Sequence, residues 1–443
     1  MTSAYVVLWG TIIGSVVFDD RRNIGIFEYD PVFRTSGIEV SPLVMPLSAR
    51  RYEFPQLRTE SFHGLPGLLS DSLPDKFGNA VIHAWLENQG RSPESFNPVE
   101  RLCYTGTRGM GALEYVPARG PDPRESQSIE IDRLVGLATK VLQARKGMHV
   151  VLGTDSLEEI IKVGSSAGGA RAKAVIAWNE ATGDIRSGQL PAASGYGNWL
   201  MKFDGVDGNG DKDGDDGPQY TRIEYAYYLM ALESGIDMSE CRLLADGGRR
   251  HFMTRRFDRD VRTGAKIHMQ TLGALAHFDF NASGAYSYED AARVMRRLGL
   301  PYTDMERLFR RMVFNVLAWN HDDHVKNLSF LMDRNGRWSL APAYDVTYSY
   351  KPDSMWVGSH QMTVNGKQGD IGLHDLVAAG ASMGIRENRA RSIVIEVLGG
   401  IAGWDGFAKR AGLSEKPAAA IGMRLSESQK RFFQELRAST KEW

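Results

Sequence analysis

Residues 320–327, Asn-His-Asp-Asp-His-Val-Lys-Asn, place two carboxylates, two imidazoles, an ammonium and two carboxamides in eight positions. Asp322 and Asn327 have the D-x-x-x-x-N spacing of kinase catalytic loops, in which the acid accepts the proton of an acceptor hydroxyl and the carboxamide holds a metal ion. Asp345 follows a hairpin signal and would complete a Mg²⁺ site with Asn327. Magnesium takes oxygen ligands and keeps several waters, so few protein groups suffice. A helix cap followed by a turn produces the same spacing, so the other parts of a phosphoryl-transfer site must be sought upstream.

Lys202, in "NWLMKF", is a strand-borne ammonium able to pair nucleotide phosphates, and Glu224, in "RIEYAYYLMALE", is a helical carboxylate able to orient it. "GSSAGGARAK", residues 164–173, offers an anion small residues and backbone N–H groups, with Gly168, Gly169, Ala170, Arg171 and Lys173 as the candidate cradle. It is not a Walker A sequence, and no dinucleotide fingerprint is present. "DGVDGNGDKDGDDG", residues 204–217, holds six aspartates and five glycines. An EF-hand register from Asn209 fails, because Tyr220 falls where a bidentate glutamate belongs, so a solvated acidic loop is expected.

These groups need elements to hold them. "YVVLWGTIIGSVVF" lacks a basic leader and is broken by glycines, so it reads as two strands and a turn, neither a signal peptide nor a membrane span. A small α+β unit is expected over residues 1–120, ending in the polar stretch 118–128. A nucleotide-binding α/β part is expected over 121–262, opening with an amphipathic helix whose stripe is Ile131, Leu134, Val135, Ala138, Val141 and Leu142. A mainly helical part carrying the catalytic loop is expected over 263–443. There, Met305, Leu308, Phe309, Met312 and Val316 share one helix face, and Asn335-Gly336 marks a type I′ hairpin.

The chain has 443 residues, 42% hydrophobic and 24% charged, which suits a folded protein of more than one domain. With 53 basic and 54 acidic residues, no global charge advertises nucleic acid or membrane as a partner. Cys103 and Cys241 have no metal or redox spacing, so both are expected as buried small residues in a reducing, cytoplasmic compartment.

Seven segments in order, "HGLPGLLSDSLPDKFGN", "SSAGGARAK", "WLMKF", "IEYAYYLMA", "HFMTRRFDR", "NHDDHVKN" and "LAPAYDVTYS", resemble the HipA family of serine/threonine kinases, the toxin half of HipBA-type toxin–antitoxin systems. The resemblance implies an α+β, protein-kinase-like fold with a small N-terminal subdomain and a mainly helical C-terminal region, using ATP and Mg²⁺. It implies Asp322 as catalytic base, Asn327 and Asp345 as metal ligands, Lys202 as the phosphate lysine, and Thr254, Arg255, Arg256, Phe257 and Asp258 as the segment meeting adenine. It further implies a self-phosphorylated regulatory serine at Ser166, with Ser165 the neighbouring candidate. The implied partners are a HipB-like helix-turn-helix antitoxin, DNA only through that antitoxin, and a protein substrate such as an aminoacyl-tRNA synthetase. Arg171 stands where some members carry glutamine, and the Asp/Gly-rich stretch is expanded.

His324 and Lys326 are expected to brace the loop, and His321 and Asp323 to be solvated. Two other readings stay open: a nucleotide-dependent regulatory partner of a DNA-binding antitoxin, and a small-molecule kinase, because D-x-x-x-x-N with a distal aspartate serves both kinds of phosphoryl transfer.

Overall fold

The computed structural model describes residues 2–119, 128–145, 160–161, 171–189, 194–206, 210–211, 214–215 and 219–439. The chain forms two compact units. The first comprises Met1–Gly217, Leu244–His277 and Leu331–Arg337; the second comprises Pro218–Leu243, Phe278–Phe330 and Trp338–Trp443.

The first unit opens with an antiparallel sheet of β1 (Thr2–Leu8), β2 (Thr11–Asp19), β3 (Ile24–Tyr29) and β4 (Leu113–Val116), in the order β3-β2-β1-β4. The expected two strands and turn are present. Trp9 and Gly10, with φ of 50° and 83°, make the tight link, the pair of positive values a type I′ turn requires. Trp9 is held there by its indole N–H, which donates to the Lys266 carbonyl at 2.9 Å. Helix α1 (Lys76–Asn88) is capped by Asp75, whose carboxylate accepts the Gly78 N–H at 2.6 Å. Helix α2 (Pro98–Thr105) starts in a capping box of Asn97 and Glu100.

Helix α3 (Ile131–Arg145) buries the predicted stripe, with Leu134 and Ala138 fully inaccessible. This face and that of α1 pack on a second sheet through Phe77, Val81, Val135, Ile176, Met201 and Met253. That sheet contains β5 (Lys173–Trp178), β6 (Ile185–Ser187), β7 (Gly197–Lys202), β10 (Cys241–Asp246) and β11 (Arg249–Arg255), in the order β10-β11-β7-β5-β6. Within the Asp/Gly-rich stretch, β8 (Gly210–Asp211) and β9 (Gly214–Asp215) pair as a minimal antiparallel ribbon. The first unit also holds β12 (His268–Thr271).

Helices dominate the second unit: α4 (Tyr220–Glu233), α5 (Tyr288–Arg297), α6 (Tyr302–Leu317), α7 (Leu373–Ser382), α8 (Glu387–Ile401), α9 (Trp404–Ala411) and α10 (Glu415–Ser439). The stripe read in α6 is buried, with Leu308, Phe309 and Met312 fully inaccessible, and α6 packs on α8. Gly400 lets α8 approach the end of α4 closely, since a Cβ there would lie 2.2 Å from the Ser234 hydroxyl. Cys103 and Cys241 are both buried free thiols.

The predicted hairpin exists as β13 (Ser329–Met332) and β14 (Trp338–Leu340), but its turn is not type I′. Only Gly336 has positive φ, at 77°; Asn335 does not. The Gly336 N–H donates to the Asp333 carbonyl at 3.1 Å and the Asp333 N–H to the Arg337 carbonyl at 3.0 Å. This is the longer loop in which a left-handed glycine closes a bulge. Asp333 decides it: its carboxylate accepts the N–H groups of Asn335 and Arg337, at 2.8 and 2.9 Å, and thereby fixes the wider turn.

Candidate active site

Helix α6 delivers the chain to the site. Its last turn is anchored by Tyr227 of α4, whose hydroxyl donates to the Ala318 carbonyl at 2.7 Å. Trp319, at φ 55°, then reverses the backbone. Asn320 returns a hydrogen bond to α6, its side-chain amide donating to the Asn315 side chain at 2.9 Å. The next residues pair with the stretch beyond Asp345: the His321 N–H donates to the Ser349 carbonyl at 3.1 Å and the Ser349 N–H to the Trp319 carbonyl at 3.0 Å.

Within the loop, the Asn327 side-chain amide donates to the Asp322 carbonyl at 2.7 Å. That fixes which way the carboxamide points and leaves its oxygen as the group able to meet a cation. His324 Nδ1 accepts the Lys326 N–H at 3.2 Å, so a neutral imidazole carries its proton on Nε2, which lies 3.7 Å from Asp322 Oδ1. Tyr344, just before Asp345, donates its hydroxyl to the Lys326 carbonyl at 2.5 Å. His324 thus contacts the loop through Lys326 and Asp322, whereas Lys326 is held through its backbone and its ammonium sits 4.4 Å over the Phe280 ring.

Asp322, Asn327 and Asp345 line one cavity of ≈ 30 Å³ in the second unit. Asp345 takes up the left-handed region at φ 53°. An aspartate tolerates that region better than most residues, and strained backbone of this kind collects at working sites. All three side chains offer oxygen, the donor type a hard divalent cation requires. Among the described residues no cluster of three or more His, Cys, Asp or Glu side chains is arranged to hold a metal. Two carboxylates and a carboxamide fit an ion that takes its remaining ligands from phosphate and water.

The expectation that His321 and Asp323 are solvated is overturned. Asp323 is 1% exposed and His321 is buried. Burial, then the neighbouring His360, pulls the His321 pKa down to about 3, so the ring is neutral. It stacks against Trp319 and lies 4.2 Å from the His360 ring. Exposure along an irregular loop cannot be inferred from composition: both carboxylates border the cavity, yet Asp322 keeps 40% of its side chain exposed and Asp323 only 1%. Arg311 of α6, unnoticed in the sequence, lines the same cavity, and one of its terminal nitrogens finds no hydrogen-bond partner among the described residues. Its place on the buried side of α6 was the available signal.

The nucleotide-side candidates divide between the units. Lys202 is buried on β7 of the first unit, directly opposite Lys173 on β5. Two facing ammonium groups repel unless countered. Lys173 has its own partner, the buried Asp75, at 3.3 Å. Burial raises the Asp75 carboxyl to about 6 against the opposing pull of Lys173. Sequence reading assigned Lys173 to a phosphate cradle and missed this pairing, although "LPDK" before an apolar helix is an N-cap signal. Thr254 and Arg255 close β11. Arg256 and Arg259 both bind the Asp258 carboxylate, at 2.7 and 2.9 Å, and the Gly111 N–H donates to it at 2.7 Å. Burial alone would raise this acid, but the two guanidinium groups hold it well below the usual carboxylate range. Phe257 sits in the turn between these arginines, and Arg171 lies two positions before the first residue of β5. Glu224 is buried on α4 of the second unit. Ser165, Ser166, Gly168, Gly169 and Ala170 lie outside the described residues.

Comparison with known proteins gives this site a context. The model of the HipA N-terminal domain matches residues 4–116, and that of the HipA-like C-terminal domain matches residues 165–404, which includes residues 320–327 and Asp345. The chain belongs to the HipA family. Among curated relatives, the putative kinase Y4mE of Sinorhizobium fredii is 28% identical over 29% of this chain and 32% of its own length. A putative kinase of Haemophilus influenzae is 30% identical over 31% of this chain and 43% of its own. The chain thus spans less than half the length of the curated relatives it matches. In structure, the chain shares the fold of Shewanella oneidensis HipA, solved with HipB and operator DNA, at a TM-score of 0.65 and 16% identity over 97% of each chain. No described helix is long and apolar enough to cross a membrane.

Proposed function

We propose that this HipA-family chain is an ATP- and Mg²⁺-dependent serine/threonine protein kinase and the toxin of a toxin–antitoxin pair. The observation that carries the reading is the convergence of Asp322, Asn327 and Asp345 on one cavity, with Asn327 oriented by the backbone of Asp322. Asp322 accepts the proton as an acceptor hydroxyl oxygen bonds to the γ-phosphorus of ATP and the bridging bond to ADP breaks. His324 Nε2 lies 3.7 Å from Asp322 Oδ1, beside the proposed base. A magnesium ion held by Asn327 and Asp345 would neutralise phosphate charge. Lys202 pairs the nucleotide phosphates in this reading, and the 254–258 segment meets the base. The putative-kinase relatives and the shared fold support phosphoryl transfer.

The acceptor we propose is a translation factor of the aminoacyl-tRNA synthetase class, with Ser166 as the site of self-phosphorylation. The Shewanella complex of HipA with HipB and operator DNA supports a HipB-like partner that brings the chain to DNA. The test is incubation of the purified chain with Mg²⁺-ATP and peptide mapping of added phosphate, with Asp322→Ala alongside. We expect phosphoserine in the wild type and a rate at least about 100-fold lower in the variant. Equal labelling of the two would remove Asp322 from its role.

A further inference from the structure

Asp323 has no part in the chemistry just described, yet three polar groups converge on its carboxyl beside the site. Oδ1 accepts the Gln361 N–H at 2.7 Å; Oδ2 accepts the Tyr288 hydroxyl at 2.8 Å and faces His360 Nδ1 at 2.9 Å. The side chains of Asp323 and His360 are 1% and 3% exposed. The Tyr288 hydroxyl accepts in turn from the Asn315 side chain at 2.8 Å, and Asn315 accepts from Asn320 at 2.9 Å. A continuous chain of bonds therefore runs from Asn320 through α6 and α5 to Asp323, closing around Asp322. The far side of the clamp is the segment downstream of Asp345. Its residue 360 is itself locked, the His360 N–H donating to the Gln368 carbonyl at 2.9 Å and the Gln368 side chain returning a bond to the His360 carbonyl at 2.8 Å.

We propose that Asp323 is a positioning residue, a buried carboxyl side chain that ties the Asp322-bearing loop to the segment leading away from Asp345 and so sets the base relative to the metal ligand. A buried carboxylate is a poor way merely to stabilise a fold, since its desolvation offsets most of what its bonds return. It is a good way to hold one geometry, because its two oxygens meet groups from three separate segments, Tyr288, His360 and Gln361, at once. The inference rests on the kinase reading for its catalytic consequence, and on the hydrogen bonds alone for the clamp. Reactions that depend on alignment lose rate steeply when a positioned group shifts by about 1 Å.

Asp323→Asn presents an amide donor where three polar groups already converge, whereas His360→Asn keeps a side-chain N–H near the position of Nδ1 and His360→Leu removes it. For the full chain and each variant we would measure thermal melting, the Kd for Mg²⁺-ATP, the single-turnover rate of self-phosphorylation, and amide exchange across residues 320–327 and 356–361. Expected for Asp323→Asn are a rate about 100-fold lower, a nucleotide Kd changed by less than about threefold, and faster exchange in both segments. His360→Asn should keep a rate within about fivefold of wild type, and His360→Leu should fall with Asp323→Asn. A rate within twofold of wild type in Asp323→Asn would overturn the proposal. So would a loss of rate matched by an equal loss of nucleotide affinity, or equal damage from the two His360 variants. Should Asp323→Asn fail to fold, the His360 pair carries the same decision. Should the wild type transfer no phosphate, the kinase reading fails, and unchanged exchange in the variants would separately sink the clamp.

Discussion

Asp322 and Asp323 are chemically identical neighbours that both border the cavity, one with 40% of its side chain exposed and the other with 1%, enclosed by Tyr288, His360 and Gln361. The spacing to Asn327 made the first legible from sequence, because a five-residue separation is a property of the chain. The enclosure of the second was not legible, because its partners come from positions 288, 360 and 361, far off in sequence. His321 shares that buried setting and makes a measurable prediction. Its folded pKa of about 3 lies below the ordinary histidine value, so between the two the unfolded chain binds a proton that the fold refuses. Stability is therefore present above the unfolded value and is lost as pH falls through that window, by up to about 1.4 kcal/mol per pH unit. Denaturant unfolding from pH 7 to pH 4 should show this slope, and His321→Phe, which keeps the aromatic stack, should flatten it.

The helices were readable where apolar residues recur at helical spacing, since burial is what that spacing serves. Leu308 is fully buried on α6, so Leu308→Ala should destabilise the second unit by about 2–5 kcal/mol in chemical denaturation. The hairpin was readable in its existence and not in its turn, because an Asn-Gly pair signals type I′ only when no neighbouring side chain captures the backbone, and Asp333 does. Gly336 is the position this turn depends on. A Cβ there would meet only Ile38, at 3.8 Å, an ordinary contact, so the left-handed φ of 77° alone sets the penalty. Gly336→Ala is expected to lower stability by about 1 kcal/mol, and Asn335→Ala, at a position without positive φ, by less. Equal effects from the two would show that φ is not the determinant.

For the whole molecule, composition indicated a folded, charge-balanced chain, and seven segments in order carried the family resemblance that the domain matches bear out. Order along the chain could not reveal that residues 331–337 join the first unit while the residues flanking them join the second. Net charge of −1 bears on the DNA association seen for the Shewanella complex. Neutralising many phosphates takes a basic face, so this chain alone should leave operator-length duplex unshifted at about 150 mM salt. Adding a HipB-like protein should produce a shifted complex containing both. A salt-resistant shift by the chain alone would contradict that division of labour.

The interleaving of the two units also sets a timetable for synthesis. The first unit lacks its last segment until Arg337 has left the ribosome, and Asp345 emerges eight positions later. No shorter nascent chain holds both a complete first unit and Asp345. On the proposed kinase reading, fragments released before that point would lack part of the site and should carry no phosphoryl-transfer activity.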